Sequence, residues 1–309
     1  MKKHIMKLIK SENGNILVFV SFAFTGLLML AGLVIDGGNL YATKSHLQKV
    51  ANAAALSGAQ GLAKNGEVNA RQTVNEILGL HEEESSLIGE PDIQPTSVKV
   101  YLSKPVSLAF SKLLGKESVT ISASATASIG AIGHAYGAAP LGIHEDIELE
   151  FYDPENPGEP YPLHVGSSNG TIGNYGILQL NRPGAPDYYR YLDEGFDQLL
   201  SIGDKLATET GVKAGTKSII DNKVDSCSSV DEPNCSRILL VPVYKDSRYQ
   251  NNKLIEVEVT GFAYFYIAER MSSSDTSIKG YYIRDVSSNK TFIGEGARDK
   301  GAYSIRLTE

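Results

Sequence analysis

Residues 16–63 carry the sequence ILVFVSFAFTGLLMLAGLVIDGGNLYATKSHLQKVANAAALSGAQGLA, and its first part, up to Ile35, is almost wholly apolar. No charged residue lies between Asn13 and Ile35. At about 1.5 Å per residue, a helix over residues 16–35 spans about 30 Å, which is the hydrocarbon thickness of a bilayer. The pattern therefore predicts a transmembrane helix over these residues.

The charges that flank this helix indicate its orientation. Several lysines precede it, whereas Asp36 follows it. The positive-inside rule therefore places residues 1–15 in the cytoplasm as a basic tail and residues 36–309 outside the cell membrane. A cleaved secretory signal is the alternative, but such signals have a shorter apolar core and a small-residue cleavage site directly after it. We therefore expect a retained single-pass anchor.

The overall composition excludes several classes of protein. The chain has 309 residues, 42% of them hydrophobic and 21% charged, which is typical of a folded protein with about two domains. The net charge is −7, and omitting the lysines at positions 2, 3, 7 and 10 leaves −11 for the rest. Because so acidic a body repels phosphate groups, we expect no nucleic-acid partner.

The apolar pattern continues beyond the predicted membrane segment. Apolar and small residues recur at steps of three, four and seven from Asp36 to about Ala63, which predicts a continuous helix. Ala51, Ala55, Ala59 and Ala63 lie four residues apart and form a close-packing face with little side-chain bulk. We expect this face to lie against a sheet of its own domain. Self-association with a second copy, or contact with a partner helix, is the alternative.

The next residues predict a small α+β unit over residues 36–130. A second helix is predicted over Val68–Leu80, and Glu82–Glu84 are predicted to form a solvated turn. Strict alternation of apolar and polar residues predicts strands at 98–102 and 119–129, with a helix at 106–114 between them because Pro105 suits a helix start.

The second half of the chain predicts a separate α+β domain with an antiparallel sheet over residues 143–309. A Gly/Ala linker over residues 131–142 separates it from the first unit. Gly261 interrupts the clean alternation of one strand, which indicates a bulge. Aromatic and apolar residues recur at helical spacing from Tyr188 to Leu200, which predicts a helix. The predicted strands are 237–244, 254–267, 278–286 and 302–307.

An ordered set of motifs surrounds the apolar run. Gly14 precedes it, Asp36 ends it, and a polar-to-alanine run follows, namely Leu47, Gln48, Ala51, Asn52, Ala53, Ala54, Ala55 and Leu56. This order resembles the N-terminal segment of the TadE/TadG-like proteins of bacterial tight-adherence (Flp) pilus assembly, and is closest to the TadG-like branch. The resemblance covers about residues 12–63, and Asn52 stands where the family commonly has Asp.

The resemblance implies a membrane-anchored, non-enzymatic component of a pilus assembly system at the cell surface. The implied partners are the lipid bilayer and pilus or secretion-machinery subunits. Related pilin-like proteins are cut after a Gly and have Glu at the fifth mature position, where this chain has Phe19. This departure argues against cleavage at Gly14. The alternative function is a membrane-anchored sensor or ligand-binding ectodomain.

The sequence predicts no catalytic set, cofactor or metal site. Residues 166–170 match the nucleophile elbow G-x-S-x-G at Ser168, but no helical pattern follows and no histidine comes after His164. The six histidines are scattered. A calcium site at the acidic residues 145–155 is a weaker alternative to a solvated edge.

Cys227 and Cys235 are the two cysteines of the chain, and both lie in a polar segment. Thiols outside the cell membrane oxidise readily, and this spacing can close a loop. We therefore expect a disulfide, with two free thiols as the alternative.

Overall fold

The computed structural model describes residues 15–164, 175–181, 185–209, 214–232, 234–272, 277–287 and 290–308. These residues contain a long N-terminal helix, two short helices and two sheets that are mainly antiparallel. The predicted α+β fold class is confirmed. The helices are α1 (Asn15–Leu80), α2 (Ala185–Glu194) and α3 (Thr216–Asp225).

Helix α1 is a hairpin of two arms. Its helical geometry breaks at Asn65 and Gly66, where Gly66 adopts a φ of 77° that glycine accepts without strain. The return arm, residues 67–80, folds back on the first arm so closely that a Cβ at Gly58 would lie 2.5 Å from Cγ2 of Val74. The two helices predicted on either side of residue 65 are therefore the two arms of this hairpin.

The beginning of α1 is exposed. Within the described residues it is the one helix that is long and apolar enough to cross a membrane by length and composition. Almost all of its side chains between residues 16 and 35 point away from the rest of the chain. A core helix of a water-soluble domain would bury such residues, so the exposure supports a membrane anchor.

The first sheet packs against α1 and combines strands from both ends of the chain. Its order is β1-β2-β3-β14-β12, and β7 and β13 also pair with β3. The strands are β1 (Asp92–Gln94), β2 (Ser97–Ser107), β3 (Ser118–Ala135), β7 (Leu200–Ser201), β12 (Asp285–Ser287), β13 (Thr291–Ile293) and β14 (Ala302–Leu307). Strand β3 extends through residue 135, past the start of the predicted linker. The domain boundaries themselves stay a prediction.

Strand β2 differs from the sequence prediction at its end. It continues through Pro105 to Ser107, and the helix predicted over 106–114 is reduced to a 3₁₀ turn at Ser111–Leu114. Strand β1 pairs only with the start of β2, at Ser97–Lys99. Pro105 therefore lies where β1 no longer covers the strand, and an edge position tolerates its missing N–H group.

The second sheet has the order β5-β11-β10-β8-β6-β4-β9, and pairing of β9 with β10 closes five of these strands into a ring. The predicted bulge at Gly261 is confirmed by a register shift between Val259 and Gly261. Helix α2 ends at Glu194, earlier than predicted, because Gly195 follows with a φ of 81°. The strands are β4 (Leu141–His144), β5 (Tyr161–His164), β6 (Tyr175–Gln179), β8 (Lys205–Glu209), β9 (Ile238–Gln250), β10 (Lys253–Ile267) and β11 (Ser277–Ile283).

A disulfide joins Cys227, which follows α3, to Cys235, which precedes β9. Both cysteines are buried. The Arg237 guanidinium holds this loop to the second sheet: its Nη1 donates to the carbonyl oxygen of Cys227 at 3.3 Å, and its Nε donates to that of Ile267 at 2.7 Å. The bridge therefore fixes the loop that leads into β9.

Candidate functional site at the junction of anchor and first sheet

Asp36 joins the end of the apolar helix to a distant loop. The residue is 4% exposed, and its carboxylate accepts hydrogen bonds from four donor groups. The backbone N–H groups of Ala109, Phe110 and Ser111 donate to it at 2.9, 3.1 and 2.6 Å, and the Ser111 hydroxyl donates at 2.7 Å. We call Asp36 together with residues 109–111 the juxtamembrane clasp. The clasp fixes the anchor to the loop between β2 and β3.

The chemistry of the clasp is that of a helix cap. The N–H groups at the start of a helical turn have no partner within the turn, and an acidic side chain can accept from them. Burial raises the pKa of the Asp36 carboxyl group, but the hydrogen bonds from Ser111, Ala109 and Phe110 together outweigh it and leave the pKa below its ordinary value. The carboxylate is therefore ionised at neutral pH, where it binds these donors most strongly.

Phe110 extends the clasp toward the membrane. A Cβ placed on Gly32 would lie 2.5 Å from Cγ of the Phe110 ring. The ring therefore packs directly on the helix backbone, one turn before Asp36, and a larger residue at position 32 would displace it.

Two polar side chains of α1, Lys44 and Gln48, donate hydrogen bonds to the backbone of β3. The side-chain amide of Gln48 donates to the carbonyl oxygen of Ser124 at 2.7 Å and to Oδ1 of Asn52 at 3.1 Å. One turn earlier, Lys44 Nζ donates to the carbonyl oxygen of Ser122 at 2.5 Å. Asn52 offers an oxygen at this position, as an aspartate would, and Gln48 therefore has an acceptor on its own helix.

The apolar residues of the same run are buried against the first sheet. The side chains of Leu47, Ala51, Ala54, Ala55 and Ala59 are fully buried, Ala63 is nearly so, and Ala53 and Leu56 are half-buried. All of them except Ala53 belong to one core cluster or pack against it. Strand β2 contributes Val98 and Val100 to this cluster, β3 contributes Ala123 and Ala125, and the return arm contributes Ala70 and Val74. The chain's own sheet and return arm therefore cover the alanine face and leave none of it for a second copy.

A cluster of ionic contacts centres on the buried Glu83, with Lys104 and His46 partly exposed around it, and the sequence patterns missed it. Glu83 is 2% exposed, so the predicted solvated turn is wrong at this residue. Its Oε1 lies 2.6 Å from Lys104 Nζ and 3.3 Å from His46 Nε2, and its Oε2 accepts from the Ser86 hydroxyl. These partners come from α1, β2 and the turn after α1. No local spacing could have revealed the cluster, because only the tertiary fold brings its residues together.

Replacing Glu83 with glutamine is expected to remove an acid-sensitive part of the stability. Burial raises the pKa of the Glu83 carboxyl group, but Lys104, Ser86 and His46 outweigh it, and the pKa lies below its ordinary value of 4.5. Such a carboxylate stabilises the fold above pH 4.5, and its contribution is lost as the pH falls through the lower folded-state pKa. We expect a loss of about 1–2 kcal/mol at neutral pH.

The measurement is thermal unfolding in detergent from neutral pH down to about pH 3. The Glu83→Gln variant should lose less stability on acidification than the unmodified chain. Glu82→Gln changes an exposed neighbour and is the matched control. Parallel acid profiles for all three proteins would contradict the role of Glu83.

The junction holds two elements together and offers no reactive group. Within the described ranges, no three His, Cys, Asp or Glu side chains come close enough together to hold a metal ion. The carboxylates of Asp36 and Glu83 are both occupied by structural hydrogen bonds. Gly14 and the residues around Ser168 lie outside the described residues. The arrangement is therefore suited to fixing the orientation of the anchor relative to the first sheet.

One comparison with known proteins matches the segment of α1 that forms this junction. Residues 14–61 match a family model described as "Putative Flp pilus-assembly TadE/G-like". The match contains Asp36, Gln48, Asn52 and most of the alanine face, and it confirms the resemblance seen over residues 12–63. No curated protein and no solved structure matches the chain.

Proposed function

We infer, from the TadE/G-like segment at residues 14–61, that the protein is a membrane-anchored component of a tight-adherence (Flp-type) pilus assembly system. Its role is structural or concerns assembly at the cell surface. The family is one of pilus assembly and is not an enzyme family. The observation that carries the proposal is that the matched segment is also the part of the chain that joins the anchor to the first sheet.

The structure gives this segment a physical task that agrees with the proposal. The clasp at Asp36, the bonds from Lys44 and Gln48 to β3, and the buried alanine face act on one continuous helix. A force applied to the outer sheets would reach the bilayer through this helix. Such a connection would suit a component of a surface fibre system.

The proposed orientation places the N-terminus in the cytoplasm and residues 36–309 outside. The lysines before the anchor support this orientation by the positive-inside rule. The disulfide between Cys227 and Cys235 supports it independently, because disulfides persist in oxidising compartments.

The proposed partners are pilus or secretion-machinery subunits, and in-cell photo-crosslinking tests this. A photoreactive amino acid is placed at Phe22, which is 73% exposed within the membrane segment, or at Val68, which is 81% exposed at the hairpin tip. The tagged full-length chain is then extracted in detergent, and its adducts and its own N-terminus are identified by mass spectrometry. Samples kept in the dark are the control.

Recovery of pilin or secretion-machinery subunits with Met1 intact would support an anchored assembly component. A mature chain beginning at Asn15 would instead identify a processed pilin-like subunit. Recovery of the chain alone would contradict the proposal. It would favour the alternative, a membrane-anchored sensor or ligand-binding ectodomain, for which residues 140–309 should bind a small ligand saturably.

A further inference from the structure

We propose that the turn over residues 110–116 inserts into the lipid surface beside the transmembrane helix and forms a second membrane contact. We call it the interfacial turn; its sequence is FSKLLGK. Leu113 is 80% exposed, Leu114 is 62% exposed and Phe110 is 40% exposed. Three large apolar side chains in one short loop are costly to leave in water, and such a patch marks a surface that contacts something apolar.

The clasp fixes where this turn lies relative to the bilayer. Ser111 and Phe110 are hydrogen-bonded to Asp36, the first residue after the apolar run. The Phe110 ring packs on Gly32, which precedes Asp36 by four residues and therefore lies about 6 Å deeper along the helix. Phe110 is thus held at a level that belongs to the membrane-spanning segment, and the rest of the turn lies next to it.

The composition of the turn fits the boundary between headgroups and hydrocarbon. Lys112 and Lys116 flank the two leucines, and their long aliphatic stems can lie along acyl chains while the ammonium groups reach the headgroups. Lys112 is 63% exposed and has one acidic neighbour, Glu117, at 3.7 Å. Tyr41, 77% exposed and just beyond Asp36 on the helix, adds an aromatic residue of the kind found at membrane interfaces.

Lipid is the occupant that these observations favour because the apolar patch is continuous with the exposed face of the anchor. The inference rests on the proposed membrane anchoring and adds a second contact to it. With two contacts, the helix and the first sheet would be held in one orientation relative to the membrane plane. A single helix followed by a free domain would allow rotation about the exit point.

The chain has no tryptophan, so one introduced indole reports its own surroundings. The full-length Leu113→Trp variant is reconstituted in vesicles of phosphatidylcholine and phosphatidylglycerol, with and without brominated phosphatidylcholine. Val68→Trp is the matched control, since Val68 is 81% exposed at the far end of the helical hairpin. Leu114→Trp repeats the test at a second position. Vesicle flotation is measured for every variant.

We expect blue-shifted emission and strong bromolipid quenching for both turn variants, and neither effect for Val68→Trp. If the chain floats with the vesicles while Leu113→Trp and Leu114→Trp behave like Val68→Trp, the inference fails and the anchoring stands. Blue-shifted emission without bromolipid quenching would place the turn against protein and would also overturn it. If the chain does not float, the anchoring in the proposed function fails, and the inference fails with it.

Discussion

The Asp36→Ala variant is expected to be among the least stable single variants of this chain. Removal of the carboxylate leaves the N–H groups of Ala109, Phe110 and Ser111 without their acceptor, and it removes the bond from the Ser111 hydroxyl. These partly buried backbone donors lose a charged partner, and each then carries part of a desolvation cost. We expect the melting temperature in detergent to fall by several degrees. Protease cleavage in the loop over residues 108–116 should increase.

Two further variants separate the clasp from a general effect of substitution. Ser111→Ala removes only the hydroxyl donor and keeps the backbone bond, so its effect should be clearly smaller than that of Asp36→Ala. Asp92→Ala removes an exposed carboxylate whose side chain bonds only locally, to Gln94, and it should be nearly neutral. A melting temperature for Asp36→Ala equal to that of Asp92→Ala would show that the clasp does not stabilise the fold.

The second large effect is expected from Ala55→Leu. Ala55 is fully buried in the cluster that joins α1 to β2 and β3. Added carbon atoms in such a well-packed core force neighbouring side chains or the backbone to move, which costs about 1–3 kcal/mol. We expect a loss near the upper end of this range. The reason is that the helix face has almost no side-chain bulk that could rearrange.

Ala42→Leu is the matched control, because Ala42 is an exposed residue of the same helix and undergoes the same chemical change. The difference in unfolding free energy between the two variants then reports packing alone, since the change in helix propensity is shared. Equal stability of the two variants would mean that the alanine face is not closely packed against the sheet.

Local sequence patterns predict the elements whose signal repeats within a few residues. Alternation over residues 119–129 predicts most of β3, and the break between Ala63 and Val68 predicts the two arms of α1. The Leu-Gln to alanine run identifies the helix that packs on the sheet. In each case neighbouring residues decide the structure, because the periods of helix and strand are short.

The contacts that define the junction could not be predicted in the same way. Asp36 bonds to residues 73 to 75 positions later, and Lys104 reaches Glu83 across a separation of 21. No periodic pattern links such residues. The error at Pro105 has a related cause: proline is common at a helix start, but whether it also fits a strand depends on which neighbours cover that strand. Whether Pro105 lies within a strand therefore depends on how β1, β2 and β3 pair.

Strand β14 lies near the end of the chain, so the first sheet can be completed only late in synthesis. β3 pairs with β14 from Ala127 to Ala131, opposite Leu307 to Tyr303, so the strand that completes the first sheet is made about 180 residues after its neighbour. At typical rates of elongation this delay is roughly 10–35 s. The anchor can enter the bilayer during that time, before β14 has been synthesised and can pair with its edge of β3. Maturation of the anchor-proximal sheet is therefore a late event, and an assembly partner or chaperone that covers this edge would act on the nascent chain.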